Sequence, residues 1–126
     1  MEHERDGGVT AKDYLSQALR LQRRIEALTD RQRRYRELGL SCGEDGRRRM
    51  QAMARELDAR VAEYAARARE IERAIDAVED GEYRDLLKYR YLNGWSWQRI
   101  ARQMYVSEDW VWRLHRRALR AVRLPQ

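Results

Sequence analysis

Helix breakers are confined to a few points of this chain, and that restricts its fold more than any other feature. The seven glycines fall at positions 7–8, 39, 43, 46, 81 and 94, and the single proline is Pro125. Between these points the sequence is rich in Ala, Leu, Arg, Glu and Gln, all strong helix formers. An all-α fold follows. The apolar spacing is more specific still. Tyr14, Ala18, Leu21, Ile25, Leu28, Gln32 and Tyr35 step by four and three in turn. Met50, Ala54, Leu57, Val61, Tyr64, Ala68, Ile71, Ile75 and Val78 obey the same rule. A sustained period of about 3.5 residues is the mark of supercoiled helix packing. The two stripes therefore predict a long, coiled-coil-like antiparallel hairpin over residues 10–80.

The first helix is expected to open at Thr10, with Asp13 at capping-box spacing, and to close with Gly39 in a left-handed C-cap. The second is expected from about Gly46 to Asp80, after a connection spanning Leu40–Gly46. At 1.5 Å per residue the pair would be about 43 and 52 Å long. Gln32 is the one polar residue in either stripe and is read as a frayed edge, with a register-setting polar group as the alternative. Residues 1–9, charged and ending near Gly7-Gly8, are expected to form a disordered tail.

Several function classes are excluded at this level. Cys42 is the only cysteine, so no internal disulfide can form, which suits a cytoplasmic protein. No apolar run approaches the roughly 18 residues of a membrane span, and no membrane partner is expected. His3 and His115 have no Cys, Asp or Glu at metal-ligand spacing, so no metal is expected. There is no Gly-rich phosphate loop, no nucleophile elbow and no carboxylate pair framed by apolar residues. An enzyme and a cofactor are not expected.

Charge is distributed unevenly. Residues 1–81 hold 17 Lys+Arg and 17 Asp+Glu, whereas residues 82–126 hold 10 and 4. That division predicts a neutral structural arm, residues 10–80, joined to a polyanion-binding head, residues 81–126. In the head the pattern changes to three short helices. Glu82–Leu92 ends at Asn93-Gly94, Ser96 caps Trp97–Met104, and Tyr105-Val106-Ser107 makes a turn into a helix from Glu108 to about Leu124. On a wheel of that last helix, Val111, Leu114, Ala118 and Val122 fall within about 60° of one direction. Asp109, Arg113, Arg116 and Arg120 lie within about 40° of the opposite one, flanked by Arg117 and Trp112. Of the four tryptophans, Trp95, Trp97 and Trp110 are expected to fill a thin core, leaving Trp112 partly exposed.

Leu86–Ser107, with Arg90-Tyr-Leu-Asn-Gly-Trp-Ser-Trp97 and Ile100-Ala101 inside it, resembles the promoter-reading fourth region of bacterial sigma factors. With Arg113-Leu-His-Arg-Arg-Ala-Leu119 added, the chain looks still more like phage late-gene transcriptional regulators of the ArpU/RinA type. The resemblance covers roughly residues 71–124. Arg99 stands where sigma factors usually carry Glu, and Trp110 and Trp112 where polar residues are more common, so no operator sequence is carried over. It implies a tri-helical helix-turn-helix that binds double-stranded DNA, most simply as an activator of phage or prophage late genes.

On that reading Asp109, Trp112, Arg113, Arg116 and Arg120 read or flank base edges, while Ser96, Gln98, Arg99, Arg102, Ser107 and Arg117 hold phosphates. RNA polymerase is a second candidate partner. Two other readings stand beside this one: a phage small terminase-like DNA-packaging recognition subunit, and a sigma-mimicking module that binds polymerase without touching DNA. A homodimer is expected, because one such head reads only a short stretch of DNA. Leu15, Leu19, Leu38, Met53 and Ala65, just off the main stripes, are its expected dimerisation surface.

Overall fold

The computed structural model describes residues 10–125; the tail expected at residues 1–9 lies outside them. The fold is all-α. In chain order the helices are α1 (Ala11–Leu40), α2 (Glu44–Glu56), α3 (Asp58–Asp76), α4 (Gly81–Leu87), a π-helical turn (Lys88–Leu92), α5 (Trp97–Met104) and α6 (Glu108–Ala121). Thr10 does open α1, its Oγ1 accepting the Asp13 N–H at 3.1 Å.

Two compact units divide the chain. One is Arg20–Ala68, and the other joins the chain up to Leu19 with the chain from Arg69 onward. The ends of the expected hairpin therefore belong with the C-terminal helices.

Within Arg20–Ala68 the stripes face inward as expected: Leu21, Leu28 and Ala54 are buried, and Ile25, Tyr35, Met50, Leu57, Val61 and Tyr64 half-buried. Several expectations need correction here. Gly39 is not a left-handed cap, since α1 runs through it to Leu40. A Cβ there would come within 3.3 Å of the Met50 Cβ, so the residue gives the neighbouring helix room. The left-handed position is Gly43, at φ 52° and ψ −179°, which only glycine adopts readily. The connection is thus Ser41–Gly43 rather than Leu40–Gly46, and Gly46 is already helical.

Gln32, in turn, is not at a frayed edge. It is 6% exposed, and its Nε2 donates to the Ala54 carbonyl at 2.9 Å and to Asp58 Oδ1 at 2.6 Å. At the same place the Leu57 N–H bonds the Ala54 carbonyl three residues back. A side chain inserted into the helix ladder is a known cause of bending, and the expected single helix breaks at Leu57 into α2 and α3. It also stops at Asp76 instead of Asp80.

The other unit has its own core. Leu15, Ile71, Ile75, Leu86, Leu87, Ile100 and Val111 are all fully buried. Leu15 is thereby withdrawn from the expected dimer surface: it is consumed by the chain's own core. Asp80 caps α4 by accepting the Tyr83 N–H at 3.0 Å. Arg84 Nη1 donates to the Val78 carbonyl at 2.7 Å, satisfying a backbone acceptor just after α3. The expected helix Glu82–Leu92 is interrupted, because from Lys88 it widens into the π turn. Asn93 N–H reaches Lys88 O at 3.0 Å, and Trp95 N–H reaches Tyr89 O at 3.0 Å across Gly94 at φ 72°. That wide closure lets Tyr89 and Trp95 stack at 4.6 Å.

Candidate nucleic-acid interface

The helices α5 and α6 are set up by the residues the sequence singles out. Ser96 Oγ accepts the Arg99 N–H at 3.1 Å and Ser107 Oγ accepts the Trp110 N–H at 3.1 Å. Each serine is exposed, so its own hydroxyl hydrogen is available to an anion. Between the helices the turn is closed by Tyr105 N–H to Arg102 O at 3.3 Å and Val106 N–H to Ala101 O at 3.1 Å. Tyr105 itself is left-handed, at φ 59° and ψ 42°. Ile100 and Ala101 are buried against α6, and Val111, Leu114, His115 and Ala118 form the inner face of α6. α6 ends at Ala121, short of Leu124, with Val122 extended but still buried.

The outer face of α6 carries the predicted set. Asp109, Trp112, Arg113, Arg116, Arg117 and Arg120 are all exposed, as are Gln98, Arg99 and Arg102 on α5. Asp109, Trp112, Arg113 and Arg116 line one shallow depression. A second runs along the turn, lined by Gln98, Arg102, Tyr105, Ser107 and Glu108 among others. None of the named phosphate or base-edge residues is turned into the core.

Indole rings hold this face in shape. Trp97 packs on Trp112 at 4.7 Å and edge-on to His115 at 4.7 Å. The Arg90 guanidinium lies over Trp97 at 4.1 Å while its Nη1 donates to the Trp95 carbonyl at 2.9 Å. Arg99 covers the Trp95 ring at 3.9 Å. Such pairs hold long cationic side chains close to the protein surface. His115 is core, not ligand: it is 3% exposed and its Nε2 shares a 2.7 Å hydrogen bond with the Tyr91 hydroxyl. Burial, helped by the positive charges of Lys12 and Arg90, pushes its pKa down to about 4. Burial likewise raises Tyr91 to about 12, against the opposing pull of Arg90. The pair is neutral at physiological pH.

Sequence reasoning missed four residues. Trp110 was expected in the core but is 37% exposed, with Arg117 over its ring at 5.9 Å. The signal was available, since Trp110 and Trp112 fall about 100° to either side of Val111 on the wheel. Tyr105 is 94% exposed at the turn, and no periodicity marks a turn residue. Lys12 and Ser16 of α1 line a recess with Arg90, Trp97 and Trp112, a grouping made only by tertiary structure. Among the described residues, no group of three or more His, Cys, Asp or Glu could hold a metal ion. No helix there is long and apolar enough to cross a membrane.

Residues 44–123 match the family described as a protein of unknown function, DUF1492. The chain belongs to that family. No curated protein and no solved structure matches it. The DUF1492 match begins at the first residue of α2 and takes in the whole exposed face of α6, leaving α1 outside.

Proposed function

We propose that this chain is a sequence-specific double-stranded DNA-binding regulator of transcription that lays α6 in the major groove. One observation carries the reading: α6 is apolar on its inner face and exposes Arg113, Arg116 and Arg120 with a single acid, Asp109, on its outer face. Its position after α5 and a three-residue turn suits entry of a helix about 12 Å wide into the major groove. The arginines would supply bidentate contacts to guanine, and Trp110 and Trp112 would flank them on sugar or thymine methyl groups. Ser96, Gln98, Arg99, Arg102, Ser107 and Arg117 would fix the register on phosphates.

The resemblance to sigma region four and to ArpU/RinA-type regulators supports transcription, and late phage or prophage genes, as the setting. Two copies on paired half-sites would meet through residues such as Leu38, Met53 and Ala65, which remain exposed or half-buried.

The test is selection of bound fragments from genomic DNA, followed by titration of the selected duplex with variants. Arg113→Ala and Arg116→Ala are each expected to weaken specific binding by about 1–3 kcal/mol for every base edge that the arginine reads. Arg48, which pairs with Glu44 at 3.9 Å and Asp45 at 3.8 Å, serves as control. Equal losses at Arg48 and Arg113, or no selected sequence at all, would overturn the reading.

A further inference from the structure

The structural units redistribute the charge. Among the described residues, Arg20–Ala68 carries 13 Arg against 8 Asp+Glu, while the unit holding α4, α5 and α6 carries 13 Lys+Arg against 10 Asp+Glu. The reason is that the acids between Glu70 and Asp80 belong with the C-terminal helices. The arm expected to be neutral therefore carries the larger excess of basic residues.

Most of its excess lies on one helix. Between Arg20 and Arg36, α1 has seven arginines and two acids, Glu26 and Asp30. Arg20, Arg23, Arg24, Arg31 and Arg34 fall within about 60° of one direction on the wheel; Glu26 lies outside that sector, and Asp30, at its edge, pairs with Arg33 at 3.1 Å. All five are exposed. The buried positions Leu21, Leu28 and Gln32 lie to one side of the stripe, so packing fixes which way it faces. At 1.5 Å per residue the stripe extends about 21 Å, the length of roughly six base pairs at 3.4 Å each.

The α2 arginines differ: Arg47 and Arg48 pair with Glu44 at 3.8 and 3.9 Å, so their charge is locally answered. A one-sided row of arginines with acid only at its edge is what a polyphosphate backbone would recognise, and it needs no sequence.

We infer that the α1 arginine stripe is a second, sequence-independent DNA-backbone surface, distinct from the α6 face. It deepens the DNA-binding reading and rests on it. The stripe supplies affinity through counterion release, while α6 supplies the choice of sequence.

The experiment measures the binding constant of the full chain over a range of salt, on a selected duplex and on a scrambled one. The variant Arg20→Gln/Arg23→Gln/Arg34→Gln changes three exposed residues and leaves the buried stripe untouched. The slope of log K against log salt is expected to become shallower by about 2 to 3, with affinity reduced equally on both duplexes. Arg47→Gln/Arg48→Gln should leave it unchanged. An unaltered slope in the triple variant, with Arg113→Ala still weakening the selected duplex, would overturn the stripe and leave the α6 reading intact. A loss confined to the selected duplex would also overturn it, since a backbone surface has no sequence preference. If Arg113→Ala has no effect while the triple variant abolishes binding to both duplexes, the α6 reading fails and the stripe stands. Helical content by circular dichroism controls for folding.

Discussion

Acid should destabilise the C-terminal unit by protonating one residue. His115 is held by the Tyr91 hydroxyl, by the rings of Trp97 and Trp112, and near the cations of Lys12 and Arg90. Its folded pKa is about 4 against 6.5 for a free histidine. Because the folded value is depressed, the unfolded chain binds more protons between those two values. Stability is then full above pH 6.5 and falls as the pH drops towards 4. At about 1.4 kcal/mol per pKa unit the loss amounts to roughly 3 kcal/mol, a sizeable part of the stability of a small domain.

Urea unfolding at half-unit steps from pH 7.5 to 4.5 measures it, with His115→Phe as reference. The phenyl ring keeps the aromatic packing and cannot take a proton. Carboxylates titrate in both proteins, so the difference between the two curves isolates the histidine. The wild type is expected to lose about 2–3 kcal/mol more than the variant over this window. Parallel curves would refute the argument that burial holds His115 neutral.

Two further outcomes follow from particular residues. Tyr105 is left-handed and almost wholly exposed, so Tyr105→Asn should relieve backbone strain and stabilise by about 1 kcal/mol; a lower melting temperature would mean that the ring makes an interaction worth more than the strain. Gln32→Ala should cost about 1–3 kcal/mol in urea unfolding by removing the donor to Ala54 and Asp58. Gln32→Leu should also speed closure of the helix ladder, read as slower amide exchange at Leu57 and Asp58, and unchanged exchange would assign the bend to another cause.

What the sequence made legible is what local periodicity controls. The stripe residues, the Ser96 and Ser107 caps and the two faces of α6 all follow from spacing within one helix. What it hid depends on distant partners. Gln32 meets Ala54 across 22 residues, and only that meeting separates a buried polar group from a frayed one. Three glycines lie within eight residues at the hairpin turn, and the approach of Met50 to Gly39 assigns that glycine to packing rather than to turning. The π turn at Lys88 likewise depends on Trp95 reaching back to stack on Tyr89. The unit boundary was missed for the same reason, because the apolar stripe of α3 continues through Ala68 without any local sign that its burial partners change there.

That boundary alters how the arginines should be interpreted. Counted along the chain, the excess charge sits in residues 82–126, and affinity and sequence choice would share one surface. Counted by unit, the described residues that include α4, α5 and α6 carry 13 Lys+Arg against 10 Asp+Glu, because Glu70, Glu72, Asp76, Glu79 and Asp80 fall in the same unit, and Arg20–Ala68 carries the larger excess. The unit with the smaller excess has the weaker long-range pull on a polyanion, so its contacts would act mainly once close to the groove. On the proposed reading, the α1 stripe would then dominate capture at low salt, and α6 would dominate discrimination at high salt, where screening weakens the stripe first. The ratio of selected to scrambled binding should therefore rise with salt even as both affinities fall. A single shared surface would not separate the two quantities in this way.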